Sequence, residues 1–231
     1  MLSFLQWVFP SKCLNCGCQI VERSTFCPKC FSKITFVDYP FCQTCGKVLP
    51  SSYMEDCLCS TCQEFPREFE VARALLRYDK AAKSIITSVK RNGDNSTAHT
   101  CCKMIFARYP EIFEGIGFIV AVPSHWTRLL KRGYNPASII ASELSKISGS
   151  PFHNVLKRRK RTQYQKEKSL HERLENVKDA FQCKADLAGK NVLLVDDVFT
   201  TGATLNECAK TLKQAGCRKV HCITIATTDA V

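Results

Sequence analysis

The sequence predicts an α/β fold built on a parallel sheet and preceded by a small cysteine-rich module. Three observations carry that expectation. Apolar runs at 118–122, 191–195 and 219–226 have the continuous character of strands buried on both faces, and helical patterns lie between them. Ten of the sixteen cysteines precede Pro66, most of them in Cys-x-x-Cys pairs. One run, 192–204, passes from apolar to acidic to hydroxyl-rich and then turns helical. With 63–70 as a connector, the chain of 231 residues divides into modules at 1–66 and 67–231.

The first module is defined by four pairs: Cys13/Cys16, Cys27/Cys30, Cys42/Cys45 and Cys59/Cys62. Ten residues separate the first two pairs and thirteen the last two. Gly17 and Gly46 follow two of the knuckles, where the backbone turns back around a bound metal. Each double knuckle can set four sulfurs tetrahedrally at about 2.3 Å from Zn²⁺. The expected arrangement is two consecutive zinc ribbons with two structural zinc ions. Pairing of the first knuckle with the third is the alternative. Cys18 and Cys57 are left over and are possible replacements for a ligand. A site closed by four thiolates has no open position, so its role is structural.

In the second module, 71–78 reads as a strand. Helical spacing follows at 81–91, ended by Asn92-Gly93, and at 97–109, stopped by Pro110. The strand at 118–122 ends at Pro123. Asn135 and Pro136 form an N-cap and first-turn pair that opens another helix.

The run 192–204 holds the chemistry. A buried-type strand is expected to end at Asp196 and Asp197. Thr200, Thr201, Gly202, Ala203 and Thr204 then lead into a helix with Leu205, Cys208, Ala209 and Leu212 on one side and Gly216 beyond its end. The first turn of a helix presents unpaired N–H groups and partial positive charge, which suit phosphate. Gly202 permits close backbone approach, and the three threonine hydroxyls donate. The carboxylates repel phosphate, but they accept from a vicinal diol and suit a hard cation such as Mg²⁺. A ligand with a phosphate at one end and a ribose diol nearby satisfies both halves.

The formal net charge is +12. Eight thiolates on two Zn²⁺ reduce it to about +8, still basic. Cations crowd between Arg128 and Lys168. Arg128, Lys131 and Arg132 follow the strand 118–122 at its carboxyl end, the edge where an open α/β sheet binds ligands, and are candidates for meeting pyrophosphate. Lys157, Arg158, Arg159, Lys160 and Arg161 read as a solvated mobile loop, a hood over the site or a nucleic-acid contact. No run of about eighteen apolar residues is present, so no spanning helix is expected. Residues 1–10 are apolar and aromatic without a basic start, and are expected to pack or to bind a partner rather than to direct export. A reducing cytoplasm follows from that and from the cysteine spacing.

The run 192–204 resembles the phosphoribosyl pyrophosphate (PRPP) signature of type I phosphoribosyltransferases. The resemblance implies that Asp196 and Asp197 hold the ribose hydroxyls and that Thr200, Thr201, Gly202, Ala203 and Thr204 hold the 5′-phosphate. Further residues widen the match: the cysteine pairs, 73–78, Val122-Pro123, Arg132-Gly133-Tyr134-Asn135, Arg161-Thr162, Gln165, Ser169, Arg173, Asn176-Val177 and Ala180-Phe181. Together they resemble the ComF family of competence proteins along nearly the whole chain. Pro136 departs from that family, which commonly has Gln there.

This resemblance implies a PRPP-binding protein with Mg²⁺, acting in natural transformation and handling incoming single-stranded DNA at the cytoplasmic side, with competence-machinery proteins as further candidate partners. The alternative is an active phosphoribosyltransferase that moves phosphoribosyl from PRPP to a nucleobase-like acceptor. No motif marks a nucleobase pocket.

Overall fold

The computed structural model describes residues 11–13, 15–20, 26–53, 57–92, 95–159 and 170–228. In the cysteine-rich part, β1 (Ser11–Lys12) and β2 (Gln19–Ile20) pair antiparallel. Helices α1 (Pro28–Phe31) and α2 (Ser60–Glu64) are single turns that each begin directly after a knuckle cysteine, Cys27 and Cys59. There follow β3 (Val71–Arg77), α3 (Lys80–Asn92), α4 (Asn95–Arg108), β4 (Phe118–Ala121), α5 (Trp126–Arg132) and α6 (Pro136–Ser148). The chain continues with β5 (Leu156–Arg158), α7 (Leu170–Val177), β6 (Phe181–Cys183), β7 (Asn191–Phe199), α8 (Ala203–Gln214) and β8 (Lys219–Thr227).

The main sheet runs β3-β8-β7-β4 with every pair parallel. Its central strands are apolar on both faces, as the sequence pattern requires. Leu193, Val195, Ile223 and Ile225 join a core with α3, α4 and α6 on one face. Val192, Leu194, Val220 and Cys222 join a second core with α8 on the other. Asn135 caps α6 as expected: its side chain accepts from the Ala137 N–H, and Pro136 takes the first turn.

The two cysteine sets straddle the β3 edge. Cys13, Cys27 and Cys30 belong to the core on the α3/α4/α6 face, and Cys42, Cys45, Cys59 and Cys62 to the core on the α8 face. Between them, 35–37 runs antiparallel along β3. Val37 N–H donates to Leu75 O at 3.0 Å, and Arg77 N–H to Thr35 O at 2.8 Å. Ala72 N–H donates to Thr44 O at 2.6 Å. Gly46 shows how close this contact is: a Cβ there would sit 2.6 Å from the Ala72 carbonyl oxygen, and its φ is +70°. Arg108, at the end of α4, grips the same segment by donating to Val37 O and to the Asp38 carboxylate. The cysteine-rich part thus docks on the sheet instead of hanging from it.

Two features depart from the sequence expectation. A second small antiparallel sheet pairs β5 with β6, and Lys157 and Arg158 lie on it rather than in a loop. The strand expected at 191–195 runs on to Phe199, because β8 continues beside it to Thr227 and keeps the ladder paired.

Candidate ligand-binding site and metal centres

The site forms where two neighbouring strands stop at different heights. β4 ends at Ala121, paired with Val195, and its ladder closes with Val122 N–H donating to Val195 O. β7 continues for four more residues through Asp196 and Asp197. The two acids therefore stand clear of β4 at the carboxyl end of the sheet, half-buried and open to a ligand. Alternation along the strand sends their side chains to opposite faces.

Their electrostatics differ. Burial pushes the Asp196 carboxyl up to about 7, and the neighbouring Asp197 charge adds to the rise. The Asp197 N–H donates back to Asp196 Oδ1 at 2.8 Å and partly offsets it. Asp197 is ion-paired, with Lys90 Nζ 2.8 Å from its Oδ2. Lys90 comes from the last turns of α3. Sequence reading missed it: a lysine in a polar helix end carries no mark of a partner so distant in the chain.

Beyond Phe199 the chain turns through Thr200, Thr201 and Gly202 into α8. Gly202 is the N-cap and has φ +76°. The Phe199 ring lies directly beneath it, so a Cβ would come within 2.5 Å of that ring. No side chain caps this helix start, which leaves first-turn N–H groups for an anion, apart from a 3.5 Å contact of Ala203 N–H to Thr201 Oγ1. Thr204 is half-buried in that first turn. The expected ligand residues from Asp196 to Thr204 thus form one continuous rim.

The cationic candidates spread more widely. Arg128, Lys131 and Arg132 lie on α5, which starts just past the carboxyl end of β4, and Arg132 is exposed. Lys157 and Arg159 are exposed, whereas Arg158 lies over the Phe181 ring, 5.4 Å from its centroid. Lys160 and Arg161 fall outside the described residues. The tract is therefore partly a packed strand, not a uniform solvated loop.

Two tetrads of sulfur are assembled: Cys13, Cys16, Cys27 and Cys30, and Cys42, Cys45, Cys59 and Cys62, each with all Sγ atoms within 4.8 Å of one another. Four sulfurs at about 2.3 Å from Zn²⁺ make a tetrahedron with edges of about 3.8 Å. The Cys16–Cys27 and Cys45–Cys59 Sγ separations are 3.8 and 3.6 Å. In the second tetrad, hydrogen bonding among the sulfurs drives Cys42 strongly down and Cys45 strongly up, as expected of thiols brought into mutual contact. The donor chemistry and spacing fit zinc, and the pairing is consecutive. Cys18 lies against Cys16 and Cys27, outside the first four.

Residues 4–63 match the double zinc ribbon domain family, and residues 129–230 match the phosphoribosyl transferase domain family. The chain is 28% identical over 223 residues to Competence protein F of Haemophilus influenzae, covering 92% of this chain and 95% of that protein. It is 25% identical over 224 residues to Competence protein ComFC of Bacillus subtilis, covering 88% and 89%. DNA utilization protein YhgH of Escherichia coli is 25% identical over 201 residues, covering 84% and 87%. Among the described residues, no helix is long and apolar enough to cross a membrane. With its double zinc ribbon, its phosphoribosyl transferase domain and this near full-length likeness to Competence protein F and ComFC, the chain belongs to the ComF family.

Proposed function

We propose that this protein binds PRPP with Mg²⁺ at the Asp196–Thr204 rim and acts in natural transformation, handling incoming single-stranded DNA on the cytoplasmic side. The observation that carries the ligand is the height difference between β4 and β7. It leaves Asp196 and the Lys90-paired Asp197 at the carboxyl end of the sheet, as acceptors for a ribose diol or ligands for a hard cation, next to an uncapped helix start suited to a phosphate. The role in DNA uptake rests on the relatives, which are named competence and DNA utilization proteins. The net charge of +12 supports an acidic partner. Arg128, Lys131 and Arg132 are the residues for the pyrophosphate end, and Lys157 to Arg161 for DNA. The zinc ribbons are structural, and the division between modules falls at 66/67.

Calorimetry with PRPP and Mg²⁺ tests the ligand, with Asp196→Ala/Asp197→Ala as the control. Wild type should bind and the double variant should not. Single-strand binding with and without PRPP then tests the linkage to DNA. A second reading, transfer of phosphoribosyl to a nucleobase-like acceptor, has the phosphoribosyl transferase domain match in its favour. Release of pyrophosphate from PRPP in the presence of a base would favour it.

A further inference from the structure

The phosphate loop lines one wall of a small cleft, partly open to solvent, whose opposite wall is the second zinc ribbon, Cys45 and Cys59 included. Thr200 and Thr201 come from the loop, Thr228 from beyond β8, and Lys47, Thr61 and Arg67 from the ribbon and its connector. Two polar atoms of this lining are buried without a hydrogen-bond partner: Arg67 Nε and Thr228 Oγ1. A buried guanidinium N–H and a buried hydroxyl left unpaired are costly, and both are donors. Unpaired donors in one lining suit an anionic acceptor.

The connector that carries Arg67 is fixed to the loop's own helix. Glu68 N–H donates to Asn206 Oδ1 at 2.8 Å, and Asn206 N–H donates to Gly202 O at 2.8 Å. Glu70 accepts from Val220 N–H at 2.6 Å and pairs with Lys213 of α8 at 3.0 Å. Phe69 packs edge-on to Phe199, the ring that supports Gly202, with centroids 6.4 Å apart. Arg67 is therefore held in register with the threonine loop, as a binding residue needs to be. It also lies against the Cys62 thiol, a member of the second sulfur tetrad.

We infer that the second ribbon forms part of the ligand site: Arg67 and Lys47 are anion-binding residues that complete, from the ribbon side, the phosphate subsite begun by Thr200 and Thr201. This rests on the reading of the Asp196–Thr204 rim as a phosphoribosyl site, and it extends that site across the module boundary. The ligand chemistry is a phosphate group, either the 5′-phosphate of a phosphoribosyl ligand or a phosphate reaching the cleft alone.

The test uses the full-length zinc-loaded protein and two probes, PRPP with Mg²⁺ and inorganic phosphate. Arg67→Ala should weaken PRPP by about tenfold or more, as expected for a lost charge-assisted hydrogen bond. Arg67→Lys should recover part of that affinity, and Lys47→Ala should weaken both probes less. Zinc content should remain unchanged in all three. Asp196→Ala/Asp197→Ala separates the two readings, because it should abolish PRPP binding yet spare inorganic phosphate. If wild type binds phosphate but not PRPP, the cleft stands and the phosphoribosyl reading falls. If PRPP binds and neither Arg67→Ala nor Lys47→Ala affects it, the ribbon is not part of the site. Loss of zinc from Arg67→Ala with Lys47→Ala silent toward both probes would also overturn the inference, leaving Arg67 as a partner of Cys62 alone.

Discussion

Lys90 Nζ lies 2.8 Å from Asp197 Oδ2, so the end of α3 places a cation on the acidic tip of β7. Its field also favours the charged form of Asp196. Lys90→Ala removes that field, and Asp196 should then keep its proton to higher pH. The expected outcome is an upward shift in the pH midpoint of PRPP–Mg²⁺ binding, read by calorimetry across the neutral range. An unmoved midpoint would show that Lys90 does not act on the site.

Asp196 produces two pH dependences of opposite sign. Its folded pKa of about 7 stands above the ordinary 3.8. The native state therefore holds more protons between those values, and the stability this group contributes at low pH is lost as pH rises through that window. Ligand capture runs the other way and improves as the carboxylate ionises. Asp196→Asn should flatten both profiles relative to wild type, in thermal melts and in affinity. Profiles that parallel wild type would refute the assignment.

Gly202→Ala should lower the melting temperature and remove phosphate binding together. The φ of +76° and the Phe199 ring 2.5 Å from any added Cβ both oppose a side chain. A destabilisation of about 1–3 kcal/mol is expected for strain of this kind. A variant that melts and binds like wild type would mean that the loop has another accessible shape.

Purified protein should contain about two Zn²⁺ per chain, and such sites can contribute on the order of 10 kcal/mol to folding. Cys27→Ser/Cys30→Ser should therefore unfold the first ribbon. Sequence alone suggests that the α/β part would then stand largely intact. The shared core and the 35–37 contacts with β3 imply that it too will melt at lower temperature. Metal analysis and differential scanning calorimetry read both outcomes, and zinc-free folded wild type would contradict the first.

Single-strand affinity should be weak, tolerant of sequence and steeply salt-dependent. Each phosphate neutralised contributes a log–log slope of about −0.7. Because Arg158 is packed over Phe181, the informative variant changes Lys157, Arg159, Lys160 and Arg161 to Ala and spares it. A flatter slope with unchanged zinc content is expected. A slope identical to wild type would move the DNA contact elsewhere.

The strands of the main sheet and the eight sulfurs were readable because their signals are local: apolar runs, and pairs two residues apart. The helix start at Ala203 was readable for the same reason. What stayed hidden depends on distant partners. Lys90 looks like any solvated helix lysine until Asp197 is placed beside it. Arg67 sits in a connector with no pattern of its own. The strand β5 is three residues long and two of them are cations, so its pairing with β6 overrides what its composition suggests. The docking of the ribbons on β3 rests on backbone pairing that side-chain types do not announce.

The strip of chain at 35–37 gives β3 the neighbour that the main sheet does not supply on that side. A bare rim of backbone donors and acceptors is a template on which other chains align. Zinc removal that frees 35–37 should therefore promote self-association, and light scattering during chelation would register it.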